Sequence, residues 1–153
     1  MISPKATVSP RAIIGKDTKI WDDVQVRENA IIGRNCILGK GVYVDKDVII
    51  GDNVKIQNYA CIYRGVTIEK GVFIGPHVLL LNDKYPMAVN PDGTLKADDD
   101  WEYGHILVEK YVSIGAGAIV VPSVTIGAWA NIGAGSVVVR DVEAEDCVMG
   151  LVK

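Results

Sequence analysis

Aliphatic residues recur along this chain at every sixth position. From Ile2 the series runs through Val8, Ile14, Ile20, Val26, Ile32, Leu38, Val44, Ile50, Ile56, Ile62, Ile68 and Ile74 to Leu80 without a miss. Four residues after each rung stands a small or β-branched residue, among them Ala6, Ala12, Thr18, Cys36, Ala60 and Val78. An amphipathic helix would repeat every 3.6 residues and a lone strand every second residue, so a period of six fits neither. It predicts a parallel β-helix, in which each hexad supplies one short strand and one corner, and three hexads close a triangular coil of eighteen residues. Rungs point inward and stack on those of the next coil, because one coil cannot bury its own apolar face. Corners need backbone with positive φ, and Gly41, Gly65, Gly71, Asn29, Asn35 and Asn53 supply residues that take it cheaply.

The ladder breaks once. Residues 82–107 carry Pro86, Pro91, the Asp92-Gly93 turn and the acidic run Asp98-Asp99-Asp100 without periodicity, and long loops of this kind are usually functional. Tyr85, Trp101 and Tyr103 imply that the loop packs against something. The rungs resume in a new phase at Val108, Ile114, Val120, Ile126, Ile132 and Val138, and the tail DVEAEDCVMGLVK shows no recognisable terminal helix. The chain therefore reads as one all-β domain over 1–153, about seven triangular coils with one long inserted loop.

Composition narrows the chemistry. An apolar fraction of 49% with a single Phe suits a narrow Ile/Val core. Net charge is −3 with no Lys/Arg block, which argues against nucleic acid or an anionic membrane as partner. No run approaches a signal core or a transmembrane span. Cys36, Cys61 and Cys147 are odd in number and scattered, as expected of a reduced cytoplasm. Only His77 and His105 are present, too few for a three-histidine zinc site on such a coil, and no CxxC, HExxH or serine elbow replaces it, so no metal is expected.

Positions eighteen apart stack at about 4.8 Å, the spacing of neighbouring strands, so columns can be read directly. Glu28, Lys46, Arg64 and Asn82 form one corner column, and Asp23, Gly41, Tyr59 and His77 another. Tyr59, Asn58, Arg64, His77, Asn82 and Asp83 are expected to cluster where the loop departs. Further on, Gly115-Ala116-Gly117-Ala118 lies beneath Gly133-Ala134-Gly135-Ser136, a smooth wall with accessible backbone amides, suited to a thin amide-bearing chain such as pantetheine.

The segments TKIWDDVQVRENAIIG, VKIQNYACIYRGVTIEKGVFIGPHVLLLNDKYPMA, NPDG with DW downstream, and VSIGAGAIVVPSVTIGAWANIGAGSVVVRDV carry a resemblance over nearly the whole chain. They look like the hexapeptide-repeat nucleotide-sugar N-acetyltransferases, especially those acting on UDP-2-acetamido-3-amino-2,3-dideoxy-glucuronate and on dTDP-3-amino sugars. Met87 departs from that family's Arg, and the terminal GLVK from its GNPAR. The resemblance implies left-handed coils, a cytoplasmic homotrimer with sites between subunits, and acetyl transfer from acetyl-CoA to the amine of a nucleotide-linked sugar in surface-glycan (lipopolysaccharide) biosynthesis. For that reaction Asn82 is the candidate catalytic residue, orienting the amine or the carbonyl, and His77 the candidate proton acceptor. Arg27, Glu28, Lys55, Gln57, Asn58, Tyr63, Arg64 and Asp83 would bind the sugar nucleotide. Gly115, Ala116, Gly117, Ala118, Gly133, Ala134 and Arg140 would bind the coenzyme, a backbone N–H of the wall serving as oxyanion donor. Two alternatives stay open, an O-acetyltransferase using His77 as base and a non-catalytic β-helix scaffold. Outward apolar residues Ile31, Ile37, Ile49, Val137 and Val139 are expected to be covered in the trimer.

Overall fold

The computed structural model describes Met1–Lys153. Short parallel strands, mostly of two residues, build three sheets that form the sides of a prism. Sheet I has eight strands, from Thr7–Val8 to Leu151–Val152; sheet II has six, from Ile13–Ile14 to Val124–Ile126; sheet III has seven, from Lys19–Ile20 to Cys147–Val148. The chain visits I, II and III in turn. Strand partners lie eighteen residues apart, as in Gln25 with Tyr43 and Ile31 with Ile49. Register therefore follows the sequence columns.

The rungs from Ile20 to Leu80 and from Val108 to Val138 are almost completely buried, as are the inward corner residues from Thr18 to Ala130. Ile2 departs from this pattern. It makes only an isolated bridge to Ile20 and is half exposed, because no coil lies beneath it. At many corners an amide closes onto the carbonyl three residues back, as in Val42 N–H to Gly39 O and Ala118 N–H to Gly115 O. One corner differs. The buried Thr18 hydroxyl donates to Gly33 O at 2.7 Å and accepts from Cys36 N–H at 3.0 Å, bridging groups that elsewhere meet directly.

Two boundaries differ from the periodic reading. Val66 pairs with Ile106, so the insertion adds twenty-two residues to one coil. The strand Ile106–Val108 begins two residues before the rung at Val108 where the ladder resumes, because Ile106 takes the inward slot that opens the hexad. The tail also continues the helix. Asn131 pairs with Cys147 sixteen residues on, and Val137 with Leu151 fourteen residues on, so the last coil is shortened and its period hidden. Met1–Lys153 contains no helix long and apolar enough to cross a membrane, its only helical turn being the 3₁₀ segment Asp98–Asp100. Ile31, Ile49 and Val139 are exposed over somewhat less than half of their surface, and Ile37 and Val137 are more covered, on the outside of the prism.

Candidate active site

The corner joining sheet III to sheet I is a continuous column of positive-φ residues: Asp23, Gly41, Tyr59, His77, Gly117 and Gly135. Each rests on the coil below. Tyr59 folds across Gly41, where a Cβ would collide with the ring. His77 stacks on Tyr59, with ring centroids 5.4 Å apart and planes 22° apart. The next position is Gly117, and nothing lies within 4 Å of where its Cβ would stand; Gly135 above it is equally open. His77 thus has one ring face pinned and the other beneath a bare step. Its side chain makes no hydrogen bond or ion pair within the chain.

The glycine wall is more selective than its composition suggests. A Cβ on Gly115 would strike the Ala134 backbone, so that glycine permits close stacking of coils and not ligand approach. The N–H groups of Gly115, Gly117, Ala118, Gly133 and Gly135 are all donated to carbonyls of the same or a neighbouring coil. Ala116 and Ala134 have no such partner. They are the two amides of the wall free to meet a ligand oxygen. Arg140 lies elsewhere, on the corner from sheet I to sheet II. Its Nε donates to the Lys153 carbonyl and its Nη1 to Asp141 O at 2.8 Å, so its donors are turned to backbone.

Asn82 stands on that same I-to-II corner. Its Nδ2 donates to Arg64 O at 3.1 Å, which leaves Oδ1 as the free, accepting end. Its carbonyl accepts from Gly104 N–H at 2.8 Å and ties the two ends of the insertion together. A pocket of about 190 Å3 beside it includes Arg27, Tyr43, Asp45, Arg64 and Trp101. The charges there are already matched. Glu28 takes both Nε and Nη2 of Arg27, an arrangement that raises the guanidinium pKa and lowers that of the carboxyl. Lys46 meets Asp98 of the loop at 3.0 Å. Arg64 lies over the Tyr103 ring at 4.4 Å, and its Nε sits 3.0 Å from Asp47 Oδ2 with the N–H misdirected, so that buried donor makes no hydrogen bond. Burial raises the pKa values of Tyr43 and Tyr63, whose rings are 5.7 Å apart. Asp83 opens the loop by accepting from Tyr85 N–H. Of the loop aromatics, Trp101 and Tyr103 pack inward, whereas Tyr85 is 75% exposed.

The expected cluster is consequently divided. Tyr59, Asn58 and His77 lie on one corner, and Arg64, Asn82 and Asp83 on the next. His77 and Asn82 are five residues apart along an extended face, roughly 16 Å at strand rise. Lys55 and Gln57 face outward on sheet III, beside Asn58. Trp21 and Lys40, not singled out from the sequence, share a cavity with Gln57 and Asn58. Trp21 could have been found as the residue two coils below Gln57. No group of three or more His, Cys, Asp or Glu is placed to hold a metal ion.

The family model described as "Bacterial transferase hexapeptide (six repeats)" matches residues 11–46, 47–82 and 105–140, and a second, "Hexapeptide repeat of succinyl-transferase", matches 29–64. The chain belongs to the bacterial transferase hexapeptide family, and its hexads wind as a left-handed β-helix. No curated protein matches it. Among solved structures it is similar to PerB from Caulobacter crescentus in complex with CoA and GDP-perosamine, at 27% identity and TM-score 0.57, over 97% of this chain and 53% of that one. It shares the fold of the acetyltransferase domain of PglB from Neisseria gonorrhoeae, at 23% identity and TM-score 0.55, over 97% and 53% of the two chains. It also shares the fold of a hexapeptide transferase family protein from Anaplasma phagocytophilum, at 18% identity and TM-score 0.62, over 95% and 74%. The chain spans about half the length of the first two structures.

Proposed function

We propose that this protein is a cytoplasmic N-acetyltransferase that moves an acetyl group from acetyl-CoA to the amine of a nucleotide-linked sugar, a 3-amino sugar in particular, for surface-glycan biosynthesis. One observation carries the reading: the step from the stacked His77 to the bare Gly117 and Gly135, with the unpartnered Ala116 and Ala134 amides alongside. The likeness to PerB supports the same chemistry. The pantetheine arm would lie on this strip, and Ala116 N–H would be the oxyanion donor, since the neighbouring amides are committed. Arg140, held to backbone, would have to release its partners before meeting a phosphate.

The amine attacks the thioester carbonyl carbon. The tetrahedral oxyanion collapses, the C–S bond breaks, CoA leaves as thiol or thiolate, and the amine loses one proton. An uncharged amine and a thioester need chiefly positioning and oxyanion stabilisation. Asn82 Oδ1 would accept from the amine and aim its lone pair, and His77 is placed to take the released proton. Because these two stand on different corners, a site using both needs a second copy, which is the rationale for a homotrimer with sites between subunits. The matched charges of Arg27, Glu28 and Arg64 suit hydrogen bonding to a sugar better than capture of an anion.

An acetyl-CoA consumption screen over amino- and hydroxy-sugar nucleotides tests this reading, with light scattering on the same sample. Turnover on amino sugars by a trimer is expected. Turnover confined to hydroxyl acceptors would make it an O-acetyltransferase, a monomer at micromolar concentration would remove the shared site, and no turnover would leave a scaffold.

A further inference from the structure

Below His77, a cavity of about 370 Å3 opens on sheet III and its edge toward sheet I. Ile37 and Gly39 form its floor, and Trp21, Asp22, Lys40, Gln57 and Asn58 its walls, the Asp22 carboxylate being taken up by the Ser3 hydroxyl at 2.5 Å and by Lys5 at 3.5 Å. Trp21 is 47% exposed, a large aromatic face left uncovered. The Trp21 indole N–H and the Gln57 and Asn58 amides make no hydrogen bond to any other side chain or to backbone. An exposed ring beside two uncommitted amides can stack a flat heterocycle and read its donor and acceptor edge.

Charge points the same way. In the pocket beside Asn82, Arg27, Lys46 and Arg64 each have a carboxylate within 4 Å, whereas Lys55 on this face has none. Lys40 reaches only Asp23, at 3.5 Å with both side chains more than half exposed, a pair too weak to hold it. The height also fits. From Trp21 to the level of His77 is three coils, roughly 14 Å at strand spacing, the length scale of a nucleoside diphosphate sugar.

Resting on the nucleotide-sugar reading above, we infer that this cavity holds the nucleoside diphosphate end of the acceptor. The base lies on Trp21 with its edge read by Gln57 and Asn58. Lys40 and Lys55 meet the diphosphate, and the sugar points up the corner toward His77 and Gly117. The pocket around Arg27 and Arg64 is then not the nucleotide site of this chain.

Calorimetric titration of the full chain with UDP, dTDP and GDP tests the inference, with CoA as control ligand. At least one nucleoside diphosphate should bind. Trp21→Ala should weaken it roughly 10- to 100-fold, the range for one stacked base, Trp21→Phe should restore most of that, and CoA affinity should not change. Equal affinity in Trp21→Ala would overturn the inference, as would loss in Arg64→Ala with Trp21→Ala unaffected, or no binding of all three nucleotides. A changed oligomer mass in Trp21→Ala would also overturn it, marking the ring as a contact between copies. The two readings fail separately. Trp21-dependent nucleotide binding without acetyl transfer would sink the transferase and leave this site, whereas acetyl transfer with an unchanged KM in Trp21→Ala would do the reverse.

Discussion

His77→Asn separates an amine acceptor from a hydroxyl one. The replacement suits the backbone, because His77 holds φ +58 and Asn is among the residues that enter the left-handed region readily. What is lost is an imidazole pinned by Tyr59 at 5.4 Å but with neither ring nitrogen hydrogen-bonded. A positioned general base contributes about 10²–10⁴-fold. Such bases usually have a partner fixing their tautomer and orientation, and this imidazole has none. An uncharged amine also does not need its proton removed before attack. The loss in kcat/KM should therefore be tenfold or less, about 1.4 kcal/mol of transition-state stabilisation at most. Release of the CoA thiol, followed with a chromogenic disulfide on protein of unchanged oligomer mass, measures it. A loss beyond a thousandfold would refute the reasoning and favour a hydroxyl acceptor.

Three further outcomes are expected. Thr18→Val removes the hydroxyl bridging Gly33 O and Cys36 N–H, but these can close directly as at other corners, so the cost should be about 1–2 kcal/mol, a drop in Tm of roughly 2–8 °C; an unchanged Tm would contradict the bridge. Burial pushes the Cys36 thiol pKa up, so iodoacetamide at mildly alkaline pH should label exposed Cys147 first, Cys61 more slowly and Cys36 only on unfolding, and early Cys36 labelling by mass spectrometry would count against its place in the core. Replacing residues 84–104 with a short Gly-Ser linker should leave the coil folded and abolish acceptor turnover, with acetyl-CoA binding falling much less; equal loss of both ligands would show the loop to be structural.

Much of the fold is legible because one constraint repeats. Each inward slot meets the same slot of the next coil, so Ile20, Leu38, Ile56, Ile74, Ile114 and Ile132 must all be apolar, and the spacing survives in sequence. The signal fades where coil length changes. The insertion hid Ile106, and the shortened final coil hid Val142 and Val152, which are buried all the same. The candidate site was read less completely for a geometric reason. Column arithmetic gives vertical neighbours such as Tyr59 and His77, but says nothing about width across a face. Asn82 and His77 therefore looked adjacent although a whole strand of sheet I, Leu79–Leu80, runs between their corners. Hydrogen bonding by the wall amides was likewise invisible, since Gly115 and Ala116 differ little as letters yet only Ala116 keeps a free N–H.

Backbone strain does not by itself mark the site. Tyr59 and His77 sit at positive φ where a glycine would be relaxed, at roughly 1–2 kcal/mol each. Tyr111 and Trp129 do the same on the corner from sheet II to sheet III, where their rings stack 4.5 Å apart above Gly71. The same backbone thus carries two ladders of rings, and what separates them is the residue that follows. Above Trp129 the column continues with Glu145, whereas above His77 it drops to Gly117 and Gly135, with free amides on Ala116 and Ala134. A ladder that ends in side chains offers only its outermost ring face. A ladder that ends in two bare steps offers a ring face, a groove and hydrogen-bond donors on one line, and Trp21 lies at the foot of that line. The corner from sheet III to sheet I, not the strain it shares with its neighbour, is where an acceptor and an acyl donor can meet.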